Sequence, residues 1–145
     1  MISAFRYAQY PSQKILEGIR IGFLLFNCVG FLVYPIELTI LQHWSTSFGS
    51  KIPYLVSAPG LILTVAILIN RKNPVIYWAF MIMMILMAAT GFAGFAFHLI
   101  YNFNGKVDLG FAATTQALEG AAPTMAALAF THIGLTGLIC AYRAR

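Results

Sequence analysis

The sequence predicts an all-α integral membrane protein, with four transmembrane helices in an up-and-down bundle and both termini in the cytoplasm. Three observations predict it. Of the 145 residues, 60% are hydrophobic and only 9% are charged, with a mean hydropathy of +0.80. A water-soluble domain carries roughly 25% charged residues to cover its surface, and this chain has too few. Four separate segments reach the length of about 20 mostly apolar residues that crosses a hydrocarbon core. Finally, the basic residues fall unevenly on the two sides of those segments.

The chain reads as one domain over 1–145, and its elements follow in order. Residues 1–17 set Phe5, Tyr7 and Tyr10 among Arg6 and Lys14, the mixture of a segment lying along the cytoplasmic interface. The apolar run behind it is far longer than the roughly 7–15 residues of a signal-peptide core, and no small-x-small cleavage site follows. The first helix is therefore expected to stay, over 19–42. HWSTSFGSK separates it from a second helix over 53–69, and NRKNP separates that from a third over 75–100. NFNGKVD opens an external connection over 102–121, where DLGFAATTQALEG predicts a short interfacial helix that lids the outer end. The fourth helix covers 123–141, with Pro123 at its start. Trp44, Tyr54, Tyr77, Trp78, Tyr101 and Tyr142 stand where amphipathic rings meet headgroups.

Orientation follows from charge. Arg6, Lys14, Arg20, Arg71, Lys72, Arg143 and Arg145 fall on one side of these spans, and Lys51 and Lys106 on the other. The positive-inside rule places the larger group in the cytoplasm, and the expected location is the bacterial cytoplasmic membrane. The net charge of +5 is spent on this bias. No dense basic run or patch remains to bind nucleic acid.

Motifs for covalent chemistry are missing from the sequence. Cys28 and Cys140 fall in the inner half of the membrane with no CxxC or metal-ligand spacing, and read as small packing residues. No Gly-rich phosphate loop, serine elbow or paired catalytic motif occurs.

What remains is polarity inside the spans, where an ionisable group points to a site. Glu37 lies about 10 Å below the outer interface marked by Trp44, and His132 about 15 Å from the inner interface at Tyr142, counted at 1.5 Å per residue. His98, His43 and Glu119 lie at or just under the outer surface. Pro35 and Pro59-Gly60 are expected to interrupt their helices near the same height, since proline removes a backbone donor. Glu37 shares a helix face with Gly30 and Tyr34 and is expected to point into the bundle or at a partner. His132 is expected as a core histidine bonded to a threonine or a carbonyl across the bundle.

The stretch GFAGFAFHLIY, 91–101, is the most informative. Gly94, Gly91, Met87 and Met84 precede His98 on one helix face, so the histidine crowns a stripe without side chains near its top. Two structures want such a stripe. One is a close helix–helix contact, because small residues let backbones approach in lipid. The other is a flat cofactor, haem or a chlorin, lying on bare backbone beside its ligand. The fourth helix has a matching ridge at Ala127, Thr131, Gly134 and Ala141. If a macrocycle binds, its ligands are His98 and His43, which end their helices at the same height. His132 lies too deep for two axial nitrogens that must face each other about 4 Å apart across one metal.

Three functions fit these residues. The first is a non-catalytic subunit of a larger membrane complex, held by other integral subunits or by copies of itself in the bilayer, and holding a haem or pigment for electron transfer. The second is a small transporter or channel with Glu37 and His132 as an ion or proton relay, although the chain lacks the internal inverted symmetry usual in transporters. The third is a metal-dependent enzyme using Glu37, His98 and Glu119, although no pair of these has the i, i+3 or i, i+4 spacing of bundle metal sites. The topology itself is testable by labelling from outside with an impermeant thiol reagent. A cysteine placed at Ser47 is expected to react and one placed at Asn73 to stay silent; the reverse pattern inverts every assigned depth.

Overall fold

A computed structural model describes residues 10–45, 48–103, 107–120 and 124–142. Every regular element in them is helical: α1 (Pro11–Ile40), α2 (Ile52–Asn70), α3 (Pro74–Asn102), α4 (Phe111–Leu118) and α5 (Thr124–Ala141). Four of these, α1, α2 with the turn ahead of it, α3 and α5, are long and apolar enough to cross a membrane. Ser47, Lys106, Pro123 and the basic residues Arg6, Arg143 and Arg145 lie outside the described residues.

Local chemistry sets the ends. Asn73 caps α3 by accepting the amide N–H of Val75 at 2.9 Å and of Ile76 at 3.4 Å, with Pro74 at the first helical position. A side-chain acceptor followed by proline is a strong helix start, because proline lacks a donor where none is needed. At the other end of α1, Gln42 adopts φ 52°, a left-handed conformation that turns the chain out of the helix into a 3-10 turn at His43–Ser45. A second 3-10 turn, Gly49–Lys51, leads into α2.

Two boundaries differ from expectation. Helix α1 starts at Pro11 rather than near residue 19, about two turns earlier. Lys14, Glu17 and Arg20 therefore ride on the helix itself, since nothing from Ser12 to Gly18 breaks it. Pro35 and Pro59 do not interrupt α1 and α2. Each withdraws one backbone donor while its fixed φ stays helical. Hydroxyls support the surrounding turns: Thr39 donates to the Pro35 carbonyl at 2.7 Å, and Ser57 to the Pro53 carbonyl at 2.6 Å.

The four long helices touch in the pairs α1–α2, α2–α3, α3–α5 and α1–α5, closing a bundle, and α3–α5 is the most extensive contact. Glycine explains it. A Cβ on Gly91 would strike the amide nitrogen of Thr131 and come within 2.7 Å of the Ala127 carbonyl. One on Gly134 would come within 2.5 Å of both the Ala88 nitrogen and the Met84 carbonyl. The two small-residue ridges thus face each other, backbone on backbone. Below them Phe80, Met84 and Met87 are fully buried, and Gly137 makes room for the Met84 thioether. Gly60 does the same for the Phe31 ring on the α1–α2 side.

The predicted interfacial helix is α4. Asn102 donates to the Ala117 carbonyl at 2.8 Å and Thr124 to the Leu118 carbonyl at 3.1 Å, which ties α4 to the end of α3 and the start of α5. Leu109, just ahead of α4, and Phe111, its first residue, stand almost fully exposed.

Replacing Gly134 by alanine is expected to cost about 1–3 kcal/mol, the range of overpacking, because both atoms it would strike are backbone. Gly22, inside α1, has nothing described within 4 Å of its would-be Cβ, so Gly22→Ala serves as the control that adds a methyl without a clash and is expected to be neutral or mildly stabilising. Unfolding in mixed micelles reads both; equal effects would refute the contact.

Candidate functional site

Beyond the end of α1 the chain assembles the histidine site. The left-handed Gln42 returns His43 over α3, where His98 stands one turn before the helix ends. The two imidazole centroids are 5.7 Å apart, with ring planes at 56°. They border a cavity of about 820 Å³ between the α1–α2 connection, α3 and α5. Such a volume suits a large ligand, since small-molecule sites span roughly 300–1,000 Å³. Leu38 and Phe130 give the cavity apolar walls, while Ser50, Thr90 and Tyr101 add hydroxyls.

The stripe below His98 divides in two. Gly91 is buried against the α5 backbone, which makes it the helix–helix contact. One turn higher, the only neighbour among the described residues that a Gly94 Cβ would meet within 4 Å is the Ala127 methyl, at 3.3 Å. Gly94 is therefore open to the cavity. Helix α4 contributes nothing to the lining, so it does not lid this cavity.

A second polar assembly joins the start of α1 to the ends of α2 and α5. Glu17, buried, accepts from Arg20 at 2.9 Å and from Arg71 at 2.5 Å. Arg20 also donates to the Tyr142 carbonyl at 2.9 Å. A cavity of about 20 Å³ beside them has room for one water molecule. Sequence reading missed Glu17 by placing it in the interfacial segment. Its i, i+3 relation to Arg20 was the available signal.

The third polar feature lies inside the bundle. Asn27 is fully buried; its amide donates to the Ile133 carbonyl at 3.1 Å, and its carbonyl oxygen accepts from Thr136 at 2.8 Å. It ties α1 to α5, and as a single uncharged amide in an apolar run it carries no charge signal in the sequence. Among the described residues no buried side-chain nitrogen or oxygen lacks a partner.

The remaining candidates stand apart. His132 is exposed on α5, edge-on to Phe26 with centroids 6.2 Å apart, and is not a core histidine. Thr136 bonds its backbone carbonyl, not its ring. The cause is register: Thr131, Gly134 and Gly137 turn toward α3 and Ile133 toward Asn27, which leaves position 132 facing out. Glu37 is likewise exposed, in the last turn of α1, and does not point into the bundle. Gly30 and Tyr34, its expected companions, face Ile133 and Phe130 instead. Glu119 is exposed at the end of α4. Among the described residues no three groups come together as metal ligands, so Glu37, His98 and Glu119 form no site. Cys28 and Cys140 are free thiols.

By fold and composition the chain is an all-helical protein with four candidate membrane spans. Compared with known proteins, it matches no family model, no curated protein and no solved structure.

The two structural ties are separable by mutation. Asn27→Leu is expected to cost about 0.6–1.7 kcal/mol, the measured range for interhelical hydrogen bonds in membranes. Glu17→Ala leaves two partly buried guanidiniums facing each other and is expected to cost about 2 kcal/mol, between exposed and fully buried pairs. Mixed-micelle unfolding of both variants checks the order, and a silent Glu17→Ala refutes the network's role.

Proposed function

We propose that this chain is a small subunit of a larger complex in the bacterial cytoplasmic membrane, anchoring its neighbours and holding a haem or pigment. In this reading the bundle runs up and down with both termini cytoplasmic. The Glu17 network then lies at the inner face and the histidine cavity at the outer one. The basic residues Arg20, Arg71 and Lys72 at the Glu17 end support that orientation.

The observation behind the subunit reading is His132. It stands midway along the 18-residue α5 and faces away from the bundle. Lipid offers an imidazole no hydrogen-bond partner at that depth, and a buried polar group without one is costly. A neighbouring helix supplies the partner. Glu37, exposed on α1, adds a second polar group outside the bundle. The relay alternative needs Glu37 and His132 on one water-lined path, whereas neither lines the cavity.

Native mass spectrometry of the protein extracted in mild detergent tests this reading. The expected particle is a defined assembly larger than the 16.0 kDa chain, and His132→Ala is expected to weaken it. A monomer in every mild detergent tried would falsify the subunit reading.

A further inference from the structure

We infer that the cavity between α3, α5 and the α1–α2 connection is a six-coordinate haem site, with His43 and His98 as the two axial ligands. The inference deepens the proposal that this cavity holds a prosthetic group, and it is independent of whether neighbouring subunits exist.

Distance comes first. A ring nitrogen binds a metal at about 2.0–2.1 Å, and the ring centre lies about 1.1 Å behind that nitrogen. Two imidazoles on opposite faces of one metal therefore have centroids about 6.3 Å apart. His43 and His98 stand at 5.7 Å, close to that spacing. The 56° between ring planes is no obstacle, since axial coordination fixes no angle between two trans imidazole planes.

Ligand number comes next. No third histidine, cysteine or carboxylate joins the pair among the described residues. A zinc site built by protein alone takes three or four protein ligands. Two imidazoles are what a metal lacks when a macrocycle already fills its four equatorial positions. The identity of the metal follows from its preferences. Magnesium, the centre of a chlorophyll-type chlorin, is a hard ion that favours oxygen, whereas imidazole suits iron. Haem fits this donor pair better than a chlorin does.

The walls suit a flat, mainly apolar body. Gly94, Ala126 and Ala127 form a low surface on the α3 and α5 side, with Phe97 and Phe130 at its borders. Lys51 is exposed in the chain between the lining residues Ser50 and Ile52.

Iron held by two protein imidazoles has no vacant position for dioxygen or a substrate. Its chemistry is one-electron exchange with a second haem or an iron–sulfur carrier. The iron goes from ferric to ferrous as that carrier is oxidised, and returns as the carrier is reduced.

The test adds haemin to the purified full-length chain and records absorbance before and after dithionite. The expected result is a Soret band with the sharp visible bands of low-spin, six-coordinate iron. His98→Ala and His43→Ala should each give a high-spin spectrum and weaken haem binding about tenfold or more, the scale on which losing metal-site interactions acts. Added imidazole should restore the low-spin bands in either variant, which a merely structural histidine would not allow. Gly94→Leu, which fills the cavity one turn from His98 while leaving both histidines in place, should lower occupancy, while His132→Ala should leave the spectrum unchanged. His43 lies in a turn outside the long helices, so its variant reports on the site even where His98→Ala fails to fold. A wild-type chain that takes up no haem overturns the inference, as does a spectrum that neither histidine variant alters. Neither result touches the subunit reading, which rests on particle mass.

Discussion

The backbone contact between α3 and α5 at Gly91 and Gly134 is the constraint on which the rest of the bundle depends. Lipid tails are as apolar as leucine, so water exclusion does not drive spanning helices together. Close packing must do so, and only glycine lets two backbones approach until a methyl group would meet an amide nitrogen. That approach sets the rotation of α5. It turns Ile133 toward Asn27 and sends His132 outward. One turn above, at Gly94, the backbones no longer meet directly and the cavity opens beside Ala127.

The other two ties are polar and have different strengths. Asn27 and Thr136 join α1 to α5 inside the bundle, and among the described residues every buried side-chain nitrogen and oxygen is satisfied. Hydrogen bonds of this kind contribute modestly, because helices not yet packed also find partners in the membrane. The Glu17 network holds more charge and stands at the helix ends, where Arg20 and Arg71 keep partial contact with the surroundings. One carboxylate against two guanidiniums leaves an excess positive charge. That residue of charge is tolerable at an interface and would be costly at the midplane.

The histidine site needs both features to exist. The glycine contact holds α3 and α5 together below, while the left-handed Gln42 and two 3-10 turns carry the α1–α2 connection over the gap. His43 reaches His98 because the chain turns back at once after α1. His132 and Glu37 are two of the ionisable groups that the bundle leaves exposed.

The sequence by itself determined the number and approximate place of the spans, because hydrocarbon thickness dictates a run length that composition displays directly. It also matched His43 to His98, since helix rise converts residue number into height. It marked the α3–α5 ridges, because small residues at helical spacing have few other uses in lipid. Only the tertiary structure decided which way each ridge and each polar residue faces. A soluble helix shows its inner face by contrast between polar and apolar sides. Here both sides of α1 and α5 are apolar, so nothing in the sequence told whether His132 or its neighbour Ile133 would turn inward. The partners of Glu17 were hidden for a related reason: Arg71 lies 54 residues away, and only the closing of α1 on α2 brings it near. Height was legible in the sequence; facing was decided by contact.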